Sequence, residues 1–106
     1  MTTEQEEVLS GEFVIPIDHP CLQGHFPGHP IVPAVVLIDL SCAALLSQSP
    51  RLGMLREIRT AKFVGPVQPG ETVRVMFRPA GERRYRFECS TGTGLVAQGI
   101  LCFNAP

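Results

Sequence analysis

No stretch of this chain approaches the ~18 uncharged apolar residues that a membrane-spanning helix needs. An excess of either charge is also missing. Nine Lys and Arg stand against ten Asp and Glu, for a formal net charge of −1. That balance lacks the basic footprint of a nucleic-acid binder and the charge-heavy composition of a disordered chain. The four cysteines, Cys21, Cys42, Cys89 and Cys102, form no C-x-x-C pair and no zinc-ribbon spacing. A metal framework is therefore not expected; reduced, mostly buried thiols in a cytoplasmic protein are. The opening "MTTEQEEVLSGEF" is acidic and has no positive region leading into an apolar core, so it does not read as a secretory signal. Residues 1–11 are expected to be a flexible terminal segment. There are no internal repeats and no linker, and 106 residues suffice for one domain, taken as residues 12–106.

What is present has a clear order. "EFVIPIDHP" (12–20) begins with apolar alternation at Phe13, Ile15 and Ile17, a strand interrupted by Pro16 that suits an edge or a strand end. Residues 20–33 then hold Pro20, Pro27, Pro30 and Pro33 with Gly24 and Gly28, which rules out regular structure but predicts a stiff loop. From Ala34 to about Gln48 the pattern predicts the one helix. Pro33 lies where a missing N–H does no harm, and Ser49-Pro50 stops the helix. Val35, Val36, Leu37, Ile38, Leu40 and the residues beyond leave almost no polar stripe, so the helix is expected to be surrounded by protein. Strand patterns follow at 55–67, 72–79, 83–91 and 95–104, separated by Pro-Gly, Ala-Gly-Glu and Gly-Thr-Gly turns. The expected architecture is α+β: an antiparallel meander curved around one buried helix.

Asp39 is the only charge in that helix. A buried carboxylate is costly enough to demand a partner, a shifted pKa or a function. Its bland role is to face a polar crevice or cap a neighbouring loop. His25, in the loop that feeds the helix, is by itself no more than a turn histidine, but imidazole exchanges protons near neutral pH. A histidine and a carboxyl held protonated by apolar walls make a general base and a general acid. The first N–H groups of the helix, at Ala34 and its neighbours, add a site for a developing oxyanion. His29, His19 and Asp18 leave room for a metal site, although Pro27, Gly28 and Pro30 forbid the helix that would put His25 and His29 on one face.

"GHFPGHPIVPAVVLID" (24–39) resembles the signature "GHFPGxPxxPGxxxxE" of the β-hydroxyacyl-acyl carrier protein dehydratases. "AKFVGPVQPGETVRV" and "GLVAQGILCF" resemble that family's later strands, so the likeness covers residues 12–104. It implies the hot-dog fold, with a curved antiparallel sheet wrapped around one long central hydrophobic helix. It also implies that His25 and Asp39 are catalytic, that the Ala34 backbone N–H binds the thioester carbonyl, and that Phe26, Pro33 and Val35 contact substrate. Further implications are an acyl chain delivered on the phosphopantetheine of acyl carrier protein or on coenzyme A, a homodimer with its sites at the subunit interface, and no cofactor. The sequence departs from the pattern in having Asp39 for Glu and Ala34 for Gly, and in lacking the "LPHRxPFLLVD" segment. The expected reaction is reversible dehydration of a 3-hydroxyacyl thioester. Thioester hydrolysis with Asp39 activating water, or a non-catalytic acyl-binding subunit, are the other readings. Arg56, Arg59, Lys62, Arg83 and Arg84 are candidates for docking an acidic carrier.

Overall fold

The computed structural model describes residues 8–15, 32–49 and 51–106. Five strands and one helix follow in the order β1 (Leu9–Val14), α1 (Ala34–Leu46), β2 (Leu55–Phe63), β3 (Thr72–Gly81), β4 (Arg84–Thr91) and β5 (Gly94–Phe103). All strand pairings are antiparallel, and the strands lie side by side as β1-β3-β4-β5-β2.

Period-two alternation builds the inner face. Val73, Val75 and Phe77 of β3 are fully buried, and Val75 and Phe77 stand opposite the equally buried Cys89 and Phe87 of β4. Residues between them point to the other face: Arg74, Met76 and Arg78 on β3 are exposed. One face buried and one solvated is the usual condition of an antiparallel sheet with a single covering layer. The Pro69-Gly70 turn ahead of β3 uses a positive φ of 90° at Gly70, whose N–H donates to the Ile15 carbonyl at 2.9 Å.

The expected meander holds only for β3-β4-β5. β2 follows α1 in sequence but pairs with β5 at the far edge, and β1 lies beside β3. Alternation within a strand states which residues share a face but not which neighbour the strand takes. Several boundaries differ as well. β1 starts at Leu9, inside the segment expected to be frayed, and ends before Pro16, whose missing N–H cannot extend a ladder. β2 stops at Phe63, before Pro66. The helix closes at Leu46, where Ser47 donates its N–H to the Ala43 carbonyl at 3.1 Å and its hydroxyl to the Ala44 carbonyl at 2.8 Å.

The helix is not enclosed within one chain. Leu37, Ser41, Cys42 and Leu45 are buried against the sheet. Val35, Asp39, Ala43 and Leu46, at helical spacing on the opposite side, are exposed, Val35 to 70%. A single sheet can cover only one side of a cylinder, and α1 is apolar on both.

Two contacts set the height of α1 over β1. Gly11 leaves so little room that a Cβ there would stand 3.1 Å from the Cβ of Ala44. The Gln48 amide reaches across to donate to the Ser10 carbonyl at 2.8 Å. Gly11→Val should lift the helix and cost about 1–3 kcal/mol of stability. Ala44→Gly in the same chain should recover part of that loss, read as a favourable coupling in a urea-denaturation double-mutant cycle.

Candidate functional site

The start of α1 is shaped by a residue that cannot cap it. Pro33 occupies the N-cap in an extended conformation (φ −62°, ψ 147°) and offers no side-chain hydrogen bond, and the first turn carries no acid. Nothing on the helix itself therefore offsets the positive end of its dipole. The approach is held by two backbone bonds: Val32 N–H to the Val67 carbonyl at 2.8 Å, and Val36 N–H to the Pro33 carbonyl at 3.0 Å. Val32 and Val67 are themselves buried, so the helix start is anchored in the core.

Four of the expected site residues fall on this segment. Pro33 is half-buried, and Ala34, Val35 and Asp39 are exposed. Val35 and Asp39, four residues apart, lie one above the other on the uncovered side of the helix. Val35 and Asp39 thus share one accessible side of the N-terminal half of α1, whereas Ala34, exposed at the helix start, lies about 140° round the helix from Asp39. His25 and Phe26 lie outside the described residues, as do His19, His29, Asp18 and Cys21. Asp39 departs from expectation in one respect: its carboxyl is exposed in the single chain instead of walled in by apolar side chains. The reason is rotational. Leu37 and Ser41, two positions either side, take the sheet-facing direction, and 200° of helical turn carries Asp39 to the opposite side.

The thiols near the site are inert by environment. Burial, and second the negative charge of Asp39, push the Cys42 thiol up to about 11. Burial also raises Cys89, partly offset by its hydrogen bond with the Ser41 hydroxyl at 3.3 Å. Neither of these two thiols supplies a thiolate nucleophile at neutral pH. Cys42, Cys89 and Cys102 are all buried, as expected of them. The Ser41–Cys89 contact was not foreseen from sequence. Its signal is a lone hydroxyl on the sheet-facing side of an apolar helix, which must find a partner on whichever strand it meets. Among the described residues there is no cluster of three or more potential metal ligands, and no helix is long and apolar enough to cross a membrane.

Set against known proteins, the fold and the helix fall into a defined class. The hot-dog architecture is shared with the solved structure of the dehydratase heterocomplex ApeI:P from Xenorhabdus doucetiae, with a TM-score of 0.79 and 20% identity over 97% of this chain and 91% of that one. The family model described as ApeI dehydratase matches residues 1–100, and the chain belongs to this ApeI-like family of dehydratases. Curated relatives named 3-hydroxyacyl-[acyl-carrier-protein] dehydratase FabZ include one from Roseiflexus castenholzii, 30% identical over 87% of this chain and 68% of its own length. Another, from Roseiflexus sp., is 31% identical over 88% of this chain and 73% of its own length. Against other such relatives the chain spans about half the length, as with the 53% of that from Fusobacterium nucleatum.

The raised Cys42 thiol has a consequence for stability. A thiol whose folded pKa exceeds its unfolded value of 9.0 stabilises the fold while protonated. That contribution is whole below pH 9 and is lost as pH rises toward about 11. The urea midpoint should fall across this window by the equivalent of roughly 1–3 kcal/mol. Cys42→Ala should flatten that part of the profile.

Proposed function

We propose that this protein catalyses the reversible dehydration of a 3-hydroxyacyl thioester, carried by acyl carrier protein, to the trans-2-enoyl thioester. The observation that carries the reading is Asp39: a lone carboxyl on the open side of an apolar helix, one turn beyond Val35 and close to an N-terminus with no side-chain cap. Family membership supports it, since the aspartate falls where the dehydratase signature has its acid.

The chemistry divides among few groups. His25 takes the C2 proton as general base, and the electron pair left behind forms the C2–C3 double bond. The C3–O bond breaks, and Asp39 delivers the proton with which the hydroxyl departs as water. Both groups are restored when the imidazolium proton returns to the carboxylate directly or through solvent. The thioester oxygen gathers charge as the C2 proton leaves, and the Ala34 N–H at the positive end of α1 stabilises it. Ala34 supplies that N–H as a glycine would, with a methyl added toward the acyl group. Phe26, Pro33 and Val35 form the apolar surround of the substrate, and the reaction requires neither metal nor nucleotide.

A homodimer with its sites at the interface is part of this reading. Within one chain the helix stripe Val35–Ala43–Leu46 is uncovered, and among the described residues β2 has β5 on one side and no strand on the other. Ile58, opposite the buried Leu101, and Phe63, opposite the buried Ala97, lie on the helix side of the sheet yet are about 40% exposed. A free nine-residue edge with apolar side chains beside it is a template for strand pairing. Pairing there would extend the sheet, lay a second copy over the open side of α1, and exclude water from the carboxyl. The cytoplasm, where the cysteines stay reduced, is the compartment that suits it.

His25→Ala and Asp39→Asn should each lower kcat/KM for a 3-hydroxyacyl thioester by about 10²–10⁴, followed by enoyl absorbance in either direction. Release of free thiol without enoyl formation would support hydrolysis instead. Sedimentation should give the mass of two chains, and Ile58→Asp should shift it to one while leaving the circular dichroism of the fold intact.

A further inference from the structure

β2 carries more residues than the strand beside it can pair. From Leu55–Phe103 to Glu57–Cys102, two steps on β2 match one on β5, so Arg56 is extra. From Arg59–Ile100 to Lys62–Gln98, three steps match two, so a second extra residue lies at Thr60–Ala61. Both are bulges, and the second is built into the strand. Thr60 has a positive φ of 51°, an outlying conformation for a β-branched residue. The backbone at Ala61 rests on Gly99, where a Cβ would stand 2.9 Å from the Ala61 Cα. With the two insertions, the unevenly spaced Leu55, Ile58 and Phe63 all oppose residues on the helix side of β5, namely Phe103, Leu101 and Ala97. Glu57, Arg59 and Lys62 oppose Cys102, Ile100 and Gln98 on the outer side.

The insertions flank Ile58 evenly, Arg56 before it and Thr60 after it. Between them lies a regular triplet, Glu57-Ile58-Arg59, with an acid and a base on the outer face around an isoleucine on the helix side. Among the described residues the far edge of β2 is free. Residues directly opposed in an antiparallel ladder share a face and interact: opposite charges favour the pair and like charges oppose it. If the edge pairs with itself, a two-fold axis at Glu57, Arg59 or Lys62 sets like charges against each other. An axis between Thr60 and Ala61 does the same, opposing Arg59 to Lys62. An axis at Phe63 opposes Thr60 to Pro66, which has no N–H to give. An axis at Ile58 meets none of these obstacles. Each Ile58 then faces its counterpart, each Glu57 faces the partner's Arg59, and the Arg56 bulge faces the Thr60 bulge. Within one chain Glu57 and Arg59 already pair at 3.0 Å, with each side chain nearly half exposed, so both remain open to a second partner.

We propose that two copies of this chain join through β2 with Ile58 on the two-fold axis, and that reciprocal Glu57–Arg59 pairs make this edge select a second copy over an unlike subunit. The proposal rests on the dimeric dehydratase reading above and adds to it the register and the selecting residues. Because opposed residues share a face, both α1 helices then lie on one side of a continuous sheet, the side that carries Asp39. Selection follows from the alternation of sign. An edge without an acid and a base at the matching places leaves Glu57 and Arg59 unmatched, and an edge with the two exchanged repels them.

The test is a charge exchange read by sedimentation equilibrium. Glu57→Arg alone and Arg59→Glu alone should each weaken the dimer by about tenfold or more, with the circular dichroism of the fold unchanged. Mixed together, these two variants should form a mixed dimer as tight as that of the wild type, because every opposed pair is again opposite in charge. Glu57→Arg with Arg59→Glu in one chain should restore self-pairing and refuse the wild type. Disulfide trapping reads the register even where a single reversal fails to fold. Ile58→Cys should cross-link to itself, at the separation of about 4.5–5.5 Å between directly opposed Cα atoms, and Glu57→Cys should cross-link with Arg59→Cys far better than with itself. Single reversals that dimerise like the wild type, a mixture no tighter than its components, or Ile58→Cys trapped by Phe63→Cys and not by itself overturns the register. A wild type that stays monomeric overturns it too. Turnover is measured separately: a dimer that obeys these pairing rules yet forms no enoyl thioester sinks the dehydratase reading and leaves the register standing.

Discussion

A helix with two apolar sides and a sheet that can cover only one of them is the constraint on which this molecule turns. Leu37, Ser41 and Leu45 face the sheet and close the core of the single chain. Val35, Ala43 and Leu46 are left facing outward on a surface whose burial would be worth about 25 cal/mol per Å². The same uncovered side holds Asp39. Whatever comes to lie on the stripe also comes to lie on the carboxyl, so self-association and the assembly of a reaction site are one event in the proposed scheme.

The two faces of the sheet divide the work differently. Packing on the inner face is almost wholly apolar among the described residues, and the contact of Ser41 with Cys89 ties the middle of the helix to β4. The outer face carries nearly all of the cross-strand charge, arranged in rows by the antiparallel register. Substitutions on alternate residues of one strand therefore act on opposite sides of the sheet.

Much of the fold was legible in local pattern. Alternation at Val73, Val75 and Phe77 identified β3 and its buried face, Pro33 marked the helix start, and the Pro-Gly turn placed a reversal at Gly70. These signals are local, and local sterics and burial enforce them. The position of β2 beyond β5 was not legible, because a strand carries no mark of its neighbour until loops and twist select one. The extent of β1 was misjudged because Ser10 and Gly11 lack strand-like side chains; their place in the ladder comes from pairing with Met76 and Val75.

The candidate site was legible as a list and not as a surface. Residue types named Asp39, His25 and the N–H groups at Ala34, since a charge within an apolar helix and the start of that helix are visible in one dimension, while Phe26, Pro33 and Val35 entered only through the family resemblance. By itself the sequence determined the helix, the alternating strands and the lone acid, all products of short-range order. Only the tertiary structure decided that Asp39 faces outward, that Ser41 meets Cys89, and that Arg78 and Arg86 stand side by side. Those facts depend on which side of α1 the sheet accepts and on the register between strands, both set by the packing of residues far apart in the chain.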